Sequence, residues 1–289
     1  MTRVFITAAT GNVGAETIRL LSQQLPPGTI VAGVRSSDQA NPFPSGVEVF
    51  AFDFLNPQTF SFLQNVDKLL LVRPPQLSQP KRDMLPLLQV ARSSGVRHVV
   101  FLSLLGVQFN PLAPHRKIEQ YIRQLGFRYT FLRPSFFMQN LITTHRSDIR
   151  DRHQILLPAG QGRTSFIDVR DIAAVAAQVL AVDRSAEQNY LDRAFDLTGS
   201  EALTYAEVAA ILSKVLETSI TYRAASIREF SRHMAAQGYP KDFIRVMIGI
   251  YSVARFGLAG KITDDLRQLL GREPISFRQF AEDYQVEWQ

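Results

Sequence analysis

Short apolar runs without polar alternation recur through the first half of the chain. They are separated by longer stretches in which apolar positions return every three or four residues. Residues 4–7, Ile30–Val34, 47–52, 67–72, 96–103 and 127–133 read as strands. Helices are predicted at 13–25, closed by Pro26-Pro27-Gly28, and at about 56–64, 80–94 and 114–125. Runs that are continuous rather than alternating mark strands buried on both faces. Strand and helix in alternation call for a parallel sheet built by right-handed crossovers. The second half differs. A short extended piece at 165–167 precedes a helix at 169–182, and 195–198 reads as one more strand. Helices dominate after that. Thr204…Glu207, Ser226…Glu229 and Ser276…Gln279 have capping-box spacing, and Pro240 opens a helix over 240–256. The expectation is an α/β protein: a doubly wound parallel sheet over 1–190, and a smaller, mainly helical lobe over 191–289. Residues 134–160 are assigned to the substrate side.

Composition narrows the classes. Over 289 residues, 46% are hydrophobic and 20% charged, which excludes a disordered chain. With no cysteine there is no disulfide framework, thiolate metal site or catalytic thiol. No apolar run approaches the roughly 18 residues of a membrane span. The amino terminus runs straight into a strand pattern, so no signal peptide is expected and the location is read as cytoplasmic.

A net charge of +6 fits either nucleic acid or a small anionic ligand. The most basic stretch, 145–153, interleaves Arg146, Arg150 and Arg152 with Asp148 and Asp151, a pattern of local ion pairing on a helix. No nucleic-acid module accompanies it, so no nucleic-acid partner is expected. His145 and His153 are too dispersed to make a metal site, and none is expected.

The strongest chemical signal follows the first strand, where the chain reads Thr7-Ala8-Ala9-Thr10-Gly11-Asn12-Val13-Gly14. Gly11 lets a backbone approach a pyrophosphate, Gly14 lets the helix pack tightly on the sheet, and the helix N-terminus offers free N–H groups. Thr10, Gly11, Asn12, Val13 and Gly14 are therefore the expected dinucleotide cradle. Ala8 replaces the first glycine of such turns, and pays a strain penalty if its φ must be positive. The second strand ends Val34-Arg35-Ser36-Ser37, with no acid before Asp38. An arginine there suits the 2′-phosphate of NADP(H), with Ser36 or Ser37 adding hydroxyl donors, so NAD(H) is the less favoured cofactor. Asp53, after the third strand, is placed near the adenine or else in a turn.

These segments, with Leu132-Arg133-Pro134-Ser135-Phe136-Phe137-Met138-Gln139-Asn140, Ser165-Phe166-Ile167-Asp168-Val169-Arg170-Asp171 and Phe195-Asp196-Leu197-Thr198-Gly199, resemble the NmrA-like branch of atypical short-chain dehydrogenases. The likeness runs over about 1–220. In layout it is most similar to bacterial NAD(P)H quinone reductases and triphenylmethane dye reductases. The resemblance implies a Rossmann-type domain with a small C-terminal lobe. It leaves two activities open, because the branch holds reductases and also regulators that bind the dinucleotide without turnover.

Short-chain dehydrogenases commonly protonate a carbonyl with a Ser–Tyr–Lys set. Ser103 matches the serine, but no Tyr-x-x-x-Lys exists in the chain. His115 is the substitute acid, weighed against a plain helix-start residue; Lys117 reads as solvated and Glu119 as a first-turn residue. A conjugated acceptor needs no placed proton, since its reduced form takes one from water. The expected substrate is therefore an aromatic or quinonoid small molecule held in a flat apolar slot. Phe136, Phe137 and Asn140 are the pocket candidates, weighed against core packing for the two phenylalanines and a capping role for Asn140. Arg73 is a candidate contact for diphosphate or anionic substrate, or a partial block. The oligomeric state is open between monomer and homodimer.

Overall fold

The computed structural model describes residues 2–35, 42–183 and 185–289. The chain divides into two compact units, one of residues 1–134 and 169–196, the other of 135–168 and 197–289. The sequence reading places the boundary at 190 and assigns 134–160 to the substrate side, whereas the chain passes between units at 134/135, 168/169 and 196/197.

The first unit opens with β1 (Val4–Ile6), α1 (Asn12–Leu21), β2 (Ile30–Val34), β3 (Val47–Ala51) and β4 (Lys68–Leu71). It continues through α2 (Pro80–Asp83), α3 (Leu85–Ser93), β5 (His98–Leu102), α4 (Pro114–Gln124) and β6 (Arg128–Pro134). The chain then supplies the second unit with β7 (Phe136–Phe137), α5 (Asn140–Thr143), α6 (Arg146–Arg152), β8 (Gln154–Leu157) and β9 (Thr164–Ile167). It returns for α7 (Val169–Ala181) and β10 (Arg193–Leu197). It finishes in the second unit with β11 (Ala202–Leu203), α8 (Tyr205–Val215), β12 (Thr221–Ala224), α9 (Ile227–Ala236), α10 (Lys241–Arg255), α11 (Asp265–Leu270) and α12 (Phe277–Asp283).

The seven-stranded sheet has the order β10-β6-β5-β4-β1-β2-β3, and the pairs from β6 through β3 are parallel. This is the doubly wound Rossmann-type arrangement. The strands are buried because their runs are apolar at both parities. Phe5, Leu69, Val99 and Phe131 join the core under α3 and α4, while α1 packs with α7. The predicted helix over 80–94 breaks at Met84, because Pro86 has no N–H to return to residue 82. The stretch at Pro57–Asn65 is a 3-10 helix that buries Phe60 and Leu63, three residues apart and so aligned on one edge of a three-residue turn.

The second unit is helical, with two small sheets that the pattern did not reveal: β11-β9-β7 and the parallel pair β12-β8. Its core gathers Ile155, Leu157, Phe166, Phe230, Tyr251 and Phe280. The capping box at Thr204 is complete. Ser226 and Ser276 cap their helices from one side, accepting from the N–H of Glu229 and Gln279.

Candidate active site

The parallel strands bring the first unit's candidates to the carboxyl edge of the sheet. From β1 the chain turns to β2 on one side, and from β3 it crosses to β4 on the other, so the switch point lies between β1 and β4. Open α/β sheets take ligands in that crevice. Thr7 ties the two strand ends together. Its hydroxyl donates to the Val72 carbonyl at 3.1 Å and accepts from the Val72 N–H at 2.8 Å.

Ala8 does take a positive φ, 48°. The turn demands it, since the Ala8 carbonyl accepts the Gly11 N–H at 2.9 Å. At Gly14 a Cβ would stand 2.4 Å from the same oxygen, so α1 sits directly on the turn. Gly11 precedes α1 and no side chain caps the helix. The first-turn N–H groups are thus left for a ligand, behind the exposed backbone of Thr10, Gly11 and Asn12, with Val13 buried beneath. A diphosphate fits this cradle in shape and in charge. Ala8→Gly is expected to raise stability by about 0.5–1 kcal/mol, the relieved strain less the added freedom of the unfolded glycine. A higher thermal midpoint with unchanged cofactor affinity checks it.

Arg35 is exposed at the end of β2; Ser36, Ser37 and Asp38 lie outside the described residues. Asp53 is exposed, and its carboxylate accepts the Leu55 N–H at 2.9 Å, the turn role. Arg73 folds onto its own loop: Nη1 donates to the carbonyls of Pro74, Pro75 and Leu77 at 2.9, 3.1 and 2.8 Å, while Nε is buried without a partner among the described residues. Burial lowers its pKa, against the attraction of Asp83.

His115 lies in the first turn of α4, its ring stacked on Phe101 at 5.9 Å between centroids. Burial, and then the Arg73 charge, push its pKa down to about 3. The imidazole is neutral near neutral pH and holds no imidazolium proton to deliver, so the expectation of an acid at His115 is not supported. Ser103 is also committed. Its hydroxyl donates to Glu119 Oε1 at 2.7 Å, and the same carboxylate takes two bonds from Arg133, at 3.0 and 2.7 Å. Burial works against the Arg133 charge, and Glu119 more than offsets it, holding the guanidinium above its ordinary pKa.

Glu119 is therefore not the first-turn residue expected, but a buried anchor in mid-helix. Glu119 and Arg133 are the site residues that the sequence reading missed. The available signal was an acid on the apolar stripe of α4, beside Ile118 and one turn from Ile122. Lys117 is exposed, as expected.

In the second unit, Phe136 and Phe137 form β7 and pair with Phe166 and Ile167 of β9. Adjacent strand residues face opposite ways. Phe136 packs into the core of its unit, and Phe137, half-buried, is not part of that cluster. Asn140 opens α5, half-buried, while its neighbour Gln139 donates to Asp168 at 2.8 Å in a buried pair. The basic stretch pairs locally, Arg150 with Asp151 and Arg152 with Asp148, although Asp148 is buried rather than exposed. Among the described residues, no cluster of His, Asp and Glu can hold a metal and no helix is long and apolar enough to cross a membrane.

The chain is 31% identical over 284 residues to the NAD(P)H azoreductase of Xenophilus azovorans, covering 96% of each. Among solved structures it resembles the NADPH-dependent quinone oxidoreductase QOR2 of Escherichia coli complexed with NADPH (TM-score 0.87, 26% identity, 97% of this chain and 99% of that one). It also resembles the triphenylmethane reductase of Citrobacter sp. (TM-score 0.85, 26% identity, 97% and 99%). The model of the NmrA-like family matches residues 1–274. The chain is a member of the NmrA-like family.

Proposed function

We propose that this protein is an NADPH-dependent reductase acting on quinones, azo compounds or similarly conjugated small molecules. The observation that carries the reading is the engagement of Ser103 by Glu119, in a chain without a Tyr-x-x-x-Lys pair. Ketone reduction needs a placed proton donor, and the first unit offers none at these positions. NADPH held there would supply the hydride to an acceptor whose π system spreads the added charge, and the product would take its proton from water. The chain's own task is then binding and alignment. The turn from Thr10 to Gly14 holds the diphosphate on the uncapped end of α1, and Arg35 takes the 2′-phosphate. In the second unit, taken by itself, the half-buried Phe137 and Asn140 are the candidates for contact with an aromatic ligand. The azoreductase and the quinone oxidoreductase among the relatives support both the cofactor and the acceptor class. A cytoplasmic location belongs to the same proposal.

Oxidation of NADPH with a panel of quinones, azo dyes and triphenylmethane dyes, with aliphatic ketones as the contrast, tests it. Turnover is expected with the conjugated acceptors alone. Tight NADPH binding without turnover on any of them would replace the enzyme by a dinucleotide-binding regulator. Arg35→Ala is expected to weaken NADPH by roughly 1.5–3 kcal/mol and NADH hardly at all. Equal losses for both cofactors would remove Arg35 from the phosphate site.

A further inference from the structure

Arg73 carries a charge that no acid pairs with among the described residues of its unit. β4 ends at Leu71, and Thr7 ties the next residue, Val72, to β1, so Arg73 stands at the carboxyl edge beside the switch point. Its side chain curls back on the chain that follows. Nη1 bonds the carbonyls of Pro74, Pro75 and Leu77, one, two and four residues on. The two prolines have fixed φ angles and stiffen the loop that supplies those carbonyls. The guanidinium is thus held over its own loop instead of extending across the crevice as a block.

One end of it stays free. Nε is sealed, whereas Nη2 has no partner among the described residues and is not one of the sealed atoms. Burial works against the charge, and Asp83 is the acid that attracts it. That carboxylate is already committed, to Arg82 Nε at 2.6 Å and to the Gln79 N–H at 2.8 Å. His115, kept neutral by burial and then by this same guanidinium, offers no counter-charge. A half-buried charge without a counter-ion is costly in a folded protein, and at a ligand-binding edge it marks a place where a ligand supplies one.

We propose that Arg73 sets the charge preference of the electron acceptor, which carries a carboxylate or sulfonate that Nη2 takes by a charge-assisted bond. This rests on the reductase reading and narrows its substrate class. The cofactor diphosphate has the free N–H groups of the uncapped α1, which leaves Arg73 for the second ligand. A single ligand oxygen suffices, because only one nitrogen of the guanidinium is available. Cationic dyes meet the same charge as repulsion and are the poorer acceptors.

Naphthalene sulfonate and naphthol, alike in their rings and unlike in charge, serve as inert analogues of the acceptor. Calorimetric titration into the NADP complex is expected to show the sulfonate bound about ten- to a hundredfold more tightly. Arg73→Met is expected to abolish that preference. Arg73→Lys keeps a positive nitrogen and is expected to retain most of it, which separates the charge from the shape of the loop. A preference that survives Arg73→Met would belong to the overall charge of +6 and overturn the assignment. Absence of sulfonate binding, or a preference lost equally in both variants, would overturn it as well. A loss confined to NADP affinity in Arg73→Met would do the same, by returning the arginine to the cofactor. Turnover keeps the two readings apart: a neutral quinone reduced by NADPH supports the reductase whatever the sulfonate does, and sulfonate preference without any turnover sinks the reductase alone.

Discussion

Exchanging Glu119 for glutamine is expected to destabilise the protein by about 3–5 kcal/mol, since it leaves the charge of Arg133 buried without its partner. The shape of the side chain is kept, so packing changes little and the loss reports the charge. The Arg133 side chain is 12% exposed and that of Glu119 5%, too enclosed for water to take over. Asp196 attracts the same guanidinium more weakly and does not replace the two lost bonds. Ser103→Ala is the contrast. It removes one neutral donor from a carboxylate still held by Arg133, and is expected to cost about 1 kcal/mol. Its effect on turnover is expected to be less than tenfold, because the hydroxyl proton already belongs to Glu119. Urea unfolding of both variants, read as a shift of midpoint at constant slope, checks the ranking. A Ser103→Ala variant with intact stability but abolished turnover would restore the serine to the chemistry and undo the proton-from-water reading.

The contrast between these two residues shows what a sequence exposes and what it conceals. The turn from Ala8 to Gly14 was legible because a strand, a glycine-bearing turn and a helix follow one another within a few positions. Even the cost at Ala8 was foreseeable, as a condition on φ that the Gly11-to-Ala8 bond then enforces. The sheet was legible for a similar reason, because doubly buried strands must be apolar at both parities. Ser103, Glu119 and Arg133 belong to β5, α4 and β6, and only the closure of a crossover unit brings them together. Local helix-terminus rules put Glu119 in the first turn, whereas the stripe of α4 turns it inward. The small sheets of the second unit were hidden differently. Residues 154–157 and 221–224 are short, and their pairing is long-range. Arg73 suggested a ligand contact by its position after β4; its Nη1 bonds three carbonyls of its own loop, while its buried Nε has no partner among the described residues.

Stability is expected to fall steeply as the pH drops from about 6.5 towards 4, because two buried histidines, His98 and His145, and the half-buried His115 are held in neutral form. His98 is pushed down to about 4 by burial and then by the Lys68 charge. His115 is held at about 3 by burial and Arg73. His145, buried beside Tyr251, is held at about 4 by burial and His233, against the pull of Asp148. In the unfolded chain each ring takes a proton near pH 6.5. Between that value and the folded ones, the unfolded state binds more protons, so acid favours it. Each group contributes about 1.4 kcal/mol per pH unit in this window, and full stability returns above pH 6.5. Together they change stability by on the order of 4 kcal/mol per unit, against a total of roughly 5–15 kcal/mol for a folded domain. Acid unfolding is therefore expected between pH 6 and 4. His98 and His115 belong to the first unit and His145 to the second, so the first unit should show the steeper dependence if the two unfold separately. The measurement is the urea midpoint at a series of pH values. His115→Phe, which keeps an aromatic ring against Phe101, should reduce the slope by about one third. A flat profile between pH 7 and 5 would mean that these rings reach water in the folded protein, and His115 would then regain its candidacy as an acid.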